Sequence, residues 1–230
     1  PPPPPPPPPP TPFFFLTHIR AIAILSGLVG SEMCIRDRTT SDNIVGYAKV
    51  TATGGELSLV ALNFTPSSTA VSDLIGDQLP AGSTLHIWDK ANGTYASVNK
   101  SARGGWGSAT INLGDAFWIQ AAGSDSHEII LSGDVNTAAV NSSTIAAGID
   151  ATGLFFPVET TFGATDLSSS LAAGSSILIW DDASQSYSTY NKSARGGWGT
   201  GANVVVGPTT GFWVQSVNPI SWDESRPFSF

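Results

Sequence analysis

Apolar and polar positions alternate in short runs through most of the chain beyond Thr39, and Gly, Asn, Asp, Ser and Pro punctuate the runs. A period of two over four to eight residues is the mark of strands with one buried face. It predicts strands at residues 57–64, 84–89, 94–99, 109–113, 116–121 and 128–131. Asn92-Gly93, between two of these, predicts a type I′ hairpin turn, which needs positive φ at both central residues. Residues 71–78, just before Pro80, predict one short helical turn, with 165–170 as its counterpart. Strands at this spacing and no long helix predict an all-β fold, a sandwich or a barrel.

The pattern repeats. Asn-Lys-Ser-Ala-Arg-Gly-Gly-Trp-Gly stands at residues 99–107 and again, unchanged, at 191–199. Ile87-Trp88-Asp89 recurs 92 positions on as Ile179-Trp180-Asp181, whereas Phe117-Trp118-Ile119-Gln120 recurs 95 positions on as Phe212-Trp213-Val214-Gln215. The second copy has therefore gained three residues, placed near 205–208, and loops absorb such insertions. A period this long implies a duplicated domain rather than a solenoid, whose repeats run to about 20–50 residues. The reading is two tandem homologous β-sandwich or barrel-like modules, 39–135 and 136–230, with the aperiodic stretch 136–143 as their boundary. Each is long enough to bury a core, and the two can pack as one pseudo-symmetric unit.

Residues 1–38 do not share this pattern. Ten prolines give way to Phe13-Phe14-Phe15 and an apolar run at 22–29. As a secretory signal that run is short, follows polyproline, and lacks a small-residue cleavage site. Leu28-Val29-Gly30-Ser31-Glu32-Met33-Cys34-Ile35-Arg36-Asp37 instead resembles a translated sequencing-library adapter, so the leader is read as non-native and set aside. The native chain is then expected to start near Thr39, with its true N-terminus and any export signal missing.

That exclusion changes the chemistry available. The chain's one cysteine, Cys34, and one methionine, Met33, fall in the leader, so the body offers no disulfide, thiolate metal site or cysteine nucleophile. Three arginines and two acids also fall there, and the net charge of −8 becomes −9 for the body. An acidic chain whose cations are Lys49, Lys90, Lys100, Arg103, Lys192, Arg195 and Arg226 lacks the basic footprint of a nucleic-acid binder. No stretch of the body approaches the roughly 18 apolar residues of a membrane helix. The terminal Arg226-Pro227-Phe228-Ser229-Phe230 is read as the last strand of the second copy rather than an outer-membrane barrel signal.

Two readings compete for the repeated string. In one, Lys100, Arg103 and Trp106, with Lys192, Arg195 and Trp198, form ligand-binding loops in which arginine and indole make an exposed cation–π pair for a sugar or an acidic ligand. In the other, the glycine pair supplies a positive-φ turn, the tryptophan caps the core and the arginine stem covers it. The structural reading is preferred. Trp88 and Trp118, which recur as Trp180 and Trp213, sit inside apolar strands and are expected in the core. His86 corresponds to Leu178, so the duplicated framework does not require it. No nucleophile elbow, phosphate loop or zinc-binding His-Glu-x-x-His is present. Asp89 and Asp181 end strands before hairpins, where an Asp satisfies turn backbone groups. No catalytic residue, metal ligand or cofactor is assigned.

Ile44-Val45-Gly46-Tyr47, Leu79-Pro80-Ala81-Gly82-Ser83, Ile87-Trp88-Asp89, Ser101-Ala102-Arg103-Gly104-Gly105-Trp106 and Gly114-Asp115-Ala116-Phe117-Trp118-Ile119-Gln120 together resemble a group of uncharacterised secreted bacterial proteins that carry such a β unit twice. The resemblance spans 43–230 and implies export, and it brings no activity, ligand or catalytic residue with it. The expectation is a non-catalytic extracellular or cell-surface module with a structural or adhesive role, its partners glycans or other surface proteins. The alternative is a carbohydrate-binding module that uses Trp106 and Trp198.

Overall fold

The computed structural model describes residues 44–103 and 105–229. The leader and every reading that falls on it lie outside the described residues. The chain runs β1 (Val45–Thr53), β2 (Leu57–Ala61), α1 (Val71–Leu74), β3 (Thr84–Asp89), β4 (Thr94–Asn99), β5 (Ala116–Gln120) and β6 (Ser126–Asp134). It continues with β7 (Val140–Ile145), β8 (Gly148–Thr152), β9 (Thr160–Thr161), α2 (Asp166–Ser170), β10 (Ser176–Asp181), β11 (Ser186–Asn191), β12 (Val205–Val206), β13 (Phe212–Ser216) and β14 (Ile220–Ser225). The fold is all-β, and its named ladders are antiparallel.

Each end of the order β1 to β6 folds back on the other. β1 pairs with β6, from Val45 opposite Asp134 to Thr53 opposite Ser126. Past the corner at Gly54 and Gly55, β2 pairs with β5 inside a four-stranded sheet of order β2-β5-β3-β4. Residues 140–225 follow the same plan: β7 pairs with β14, and a second sheet has the order β8-β13-β10-β11. The extra residues of this stretch lie beside β12, which pairs with β9 in a small ribbon of its own.

Within the four-stranded sheets the inner strands β5 and β13 are buried on both faces, which explains why they read as almost unbroken apolar runs, whereas the edge strands β4 and β11 are largely exposed. Val60, Leu85, Phe117 and Ile119 face a core closed by Val50, Ala52, Ile129 and Leu131 of the β1–β6 ribbon. Their alternates Leu59, Ala61, Ala116 and Trp118 face Ala151 and Trp213 of the other sheet. A third cluster, around Phe162, Leu167, Phe212 and Trp222, fills the space beneath β7 and β14.

Backbone hydrogen bonds also cross between the two sheets. Ala61 N–H donates to the Thr209 carbonyl at 2.9 Å, and Gly153 N–H to the Gly114 carbonyl at 3.0 Å. Gly114 and Thr209 hold equivalent positions and share the left-handed conformation, at φ 83° and 64°. For a β-branched residue that is strained. Thr209 is held there by the wholly buried Asn63, whose side-chain oxygen accepts its N–H at 2.5 Å and whose amide nitrogen donates to the Leu154 carbonyl.

Four sequence readings need correction. Residues 109–113 are not a strand; they are a loop whose Ile111 plugs the core while its backbone bonds Thr69 and Val71. Asn92 does not adopt positive φ. The β3–β4 connection is a four-residue loop in which Asp89 accepts the N–H groups of Ala91 and Asn92, and only Gly93, at φ 61°, is left-handed. The expected boundary at 136–143 runs into β7, which starts at Val140. The last strand ends at Ser225: Arg226 N–H still donates to the Ala139 carbonyl in register with β7, but Pro227 has no N–H to carry the ladder further.

Candidate functional site

The repeated string turns its lysine and tryptophan inward. Ser101 N–H donates to the Gly105 carbonyl at 2.9 Å, and Ser193 N–H to the Gly197 carbonyl at 2.8 Å. Gly105 and Gly197, at φ 63° and 60°, make these tight turns possible. The tryptophan three residues past each Ser-Ala-Arg plunges into the core: Trp106 is 1% exposed and Trp198 8%. Their indole N–H groups donate to the Gly76 carbonyl at 2.8 Å and the Ser168 carbonyl at 2.9 Å.

The lysines reach the same places. Lys100, itself buried, donates to the Leu79 carbonyl at 2.7 Å and the Asp77 carboxylate at 2.8 Å. Lys192 donates to the Ser168 and Leu171 carbonyls, both at 2.7 Å. The Ser168 and Leu171 acceptors lie in the last turn of α2 and just past it, where a helix leaves carbonyls without intrahelical partners, and Gly76, Asp77 and Leu79 lie in the turn that follows α1. The string is thus a clamp on the C-terminal end of a short helix, and cations there also complement the helix dipole. Arg103 and Arg195 are exposed at the loop tips. The cation over the Trp198 ring is Lys192, at 5.7 Å, rather than Arg195. Indoles buried in this way present no platform to a sugar ring, so the exposed Arg–Trp pair expected of the binding reading is replaced by this clamp.

Four further tryptophans join the two sheets. Trp88 meets Trp213, and Trp118 meets Trp180, each pair edge to face with centroids 4.8 Å apart. Tyr95 flanks Trp88 at 5.2 Å, and Tyr187 flanks Trp180 at 4.9 Å. Trp88 donates to Asp150 at 2.8 Å, Trp180 to the Leu57 carbonyl at 2.9 Å, and Trp118 to the Tyr95 hydroxyl at 2.8 Å. Trp213 Nε1 is buried and finds no partner of hydrogen-bonding geometry. Burial pushes Tyr187 up to about 12, against the opposing effect of the Trp213 indole. Burial likewise raises Tyr95, with the Trp118 bond opposing it.

Beside the Trp118–Trp180 pair the sheets part in a cleft of about 440 Å³. Tyr95, His86, Trp118 and Gln120 line it from the first sheet, Trp180 and Tyr187 from the second, and Leu57 lies at its edge. His86 Nδ1 is engaged by the Ser97 hydroxyl at 2.7 Å. The sequence pointed to the tryptophans of this region as core. It did not single out the tyrosines or Gln120, since nothing local marks a strand residue that ends up at the mouth of an inter-sheet cleft.

The carboxylates serve local structure. Asp89 caps the β3–β4 loop, and Asn92 hydrogen bonds hold it below the usual carboxylate range. Asp181 does the equivalent work, accepting the N–H groups of Ala183 and Ser184. Asp73 accepts from Ser68, and Asp166 from Ser225 N–H. Burial pushes Asp150, Asp182 and Glu224 upward; the Lys90 charge partly offsets this at Asp150, while Asp181 and Glu56 add to it at Asp182. Among the described residues no three His, Cys, Asp or Glu side chains gather as a metal site would require, and no helix is long and apolar enough to cross a membrane. No family model, curated protein or solved structure matches the chain.

Proposed function

We propose that the protein is a non-catalytic extracellular or cell-surface module, structural and adhesive in role, built from two copies of one β unit packed as a pseudo-symmetric body. The observation that carries this reading is the fate of the repeated string. In both copies its lysine and tryptophan clamp a helix end inside the protein, and its arginine is left at an exposed loop tip. The matching strand orders and the paired cross-sheet hydrogen bonds support the duplication. Adhesion then belongs to the two loops displayed by Arg103 and Arg195, and a bivalent display gains avidity without new contacts.

The test is adhesion of protein-coated beads to bacterial cell surfaces. Arg103→Ala with Arg195→Ala is expected to lower adhesion by more than either change alone, at an unchanged melting temperature. Adhesion equal to that of the unaltered protein would reject the adhesive role. Binding through Trp106 and Trp198 has no support from their burial, and a carbohydrate reading must look elsewhere on the molecule.

A further inference from the structure

We propose that the cleft between Tyr95 and Tyr187 is a binding site for a neutral sugar of one or two pyranose rings. This goes beyond the adhesive reading, which rests on the arginine loops. Its volume of about 440 Å³ falls within the roughly 300–1,000 Å³ usual for small-ligand pockets.

The walls suit a pyranose in two ways. A sugar ring has an apolar C–H face and a rim of hydroxyls, so it needs flat aromatic surface next to hydrogen-bonding groups. Tyr95 and Tyr187 remain 42% and 41% exposed at the mouth of an otherwise closed aromatic interface. The Tyr95 hydroxyl accepts the Trp118 indole proton and so keeps its own proton to donate. The Tyr95–Trp118 bond and the edge-to-face contacts of Trp118 with Trp180 and Tyr187 fix the rings before a ligand arrives, which lowers the cost of binding.

The polar groups are of the right kind. Ser97 engages Nδ1 of His86 and leaves Nε2 as the ring nitrogen open to a ligand. Leu178 occupies the equivalent place in the second sheet, so packing alone does not call for an imidazole there. Gln120 also lines the cleft, with its side chain exposed to the solvent there. None of the lining residues is an acid, a lysine or an arginine, so a charged sugar would find no counter-ion in the site. A quaternary ammonium would be attracted to the rings, but it would leave the His86 and Gln120 groups without partners.

Titration of the full chain with neutral cello-, xylo-, malto- and chito-oligosaccharides, followed by tryptophan fluorescence, tests the assignment, with choline as a parallel probe. A saturable change with at least one neutral series is expected. His86→Leu, which installs the residue of the equivalent position, and Gln120→Ala should each weaken it about tenfold. Gln215→Ala, the counterpart of Gln120, should leave it unchanged. Absence of saturation with every saccharide, binding of choline alone, or undiminished affinity in both His86→Leu and Gln120→Ala would overturn the proposal. Adhesion through Arg103 and Arg195 is measured separately, so either reading can fail while the other stands.

Discussion

Trp106 and Trp198 occupy equivalent positions but do not bear equal loads. The Ser168 carbonyl receives both the Trp198 indole and the Lys192 ammonium, whereas Trp106 donates to Gly76 and Lys100 to Leu79. Trp106→Phe therefore takes the indole bond from Gly76 with no lysine to replace it, while Trp198→Phe leaves Ser168 with a donor. Leaving a buried polar group unpaired costs about 1–3 kcal/mol, so urea unfolding should show the larger loss for Trp106→Phe. Equal losses would mean that the clamp lysine contributes nothing at Ser168. Thr209 offers the opposite sign. Its left-handed backbone costs a residue with a Cβ about 1–2 kcal/mol, and the equivalent position already carries glycine. Thr209→Gly should raise stability by a fraction of that amount, since the hydroxyl bond to the Pro208 carbonyl goes with it.

At the scale of elements, the edge of β2 shows how the two sheets protect each other. An unpaired edge strand invites pairing with another chain. Here Leu57 N–H donates to the Gln185 side-chain oxygen at 2.9 Å, and its carbonyl accepts from Gln185 at 3.0 Å and from Trp180 at 2.9 Å. Gln185 sits at φ 49°, where the equivalent β3–β4 loop uses Gly93. Gln185→Ala loses the bonds and keeps the strain, whereas Gln185→Gly loses the bonds and relieves it. The alanine variant should be less stable by about 1 kcal/mol, and thermal unfolding of the pair reads the difference directly. The sequence revealed β3, β4 and β5, because their alternation and turn residues are local. It hid β1, whose exposed Val45 and Tyr47 blur the apolar face until Val50 and Ala52. It also suggested a strand at 109–113, where the apolar spacing comes from a loop anchored by Ile111. The clamp was legible as a turn followed by a buried tryptophan; its acceptors, 21 to 30 residues upstream, are a property of the folded chain. The cleft was not legible, since it exists only where two sheets meet.

For the whole molecule, packing places carboxylates where they are poorly hydrated, and stability must then depend on pH. Burial raises Asp150, Asp182 and Glu224 above the ordinary carboxylate range. A carboxyl whose pKa is higher in the folded than in the unfolded state binds more protons when folded. Its contribution is greatest below the unfolded value and is lost as pH rises through the folded one. The ordinary carboxyl values, 3.8 for aspartate and 4.5 for glutamate, set the lower edge of that window. Asp77, exposed, and Asp89, partly buried at the end of β3, are shifted downward by Lys100 and by Asn92, and their opposing effect falls below the same edge. The body's net charge adds to the trend, because self-repulsion grows as the carboxyls ionise. The melting temperature should therefore fall as pH rises from about 4.5 to 7.5, a range set by reference carboxylate values. Glu224→Gln isolates one part of this. Its amide oxygen can still accept the Trp222 indole and Leu167 N–H bonds that Glu224 accepts at 2.7 and 3.2 Å, yet it cannot ionise. The variant should show a shallower decline with pH than the unaltered protein, and parallel curves would mean that Glu224 titrates alike in the folded and unfolded chain.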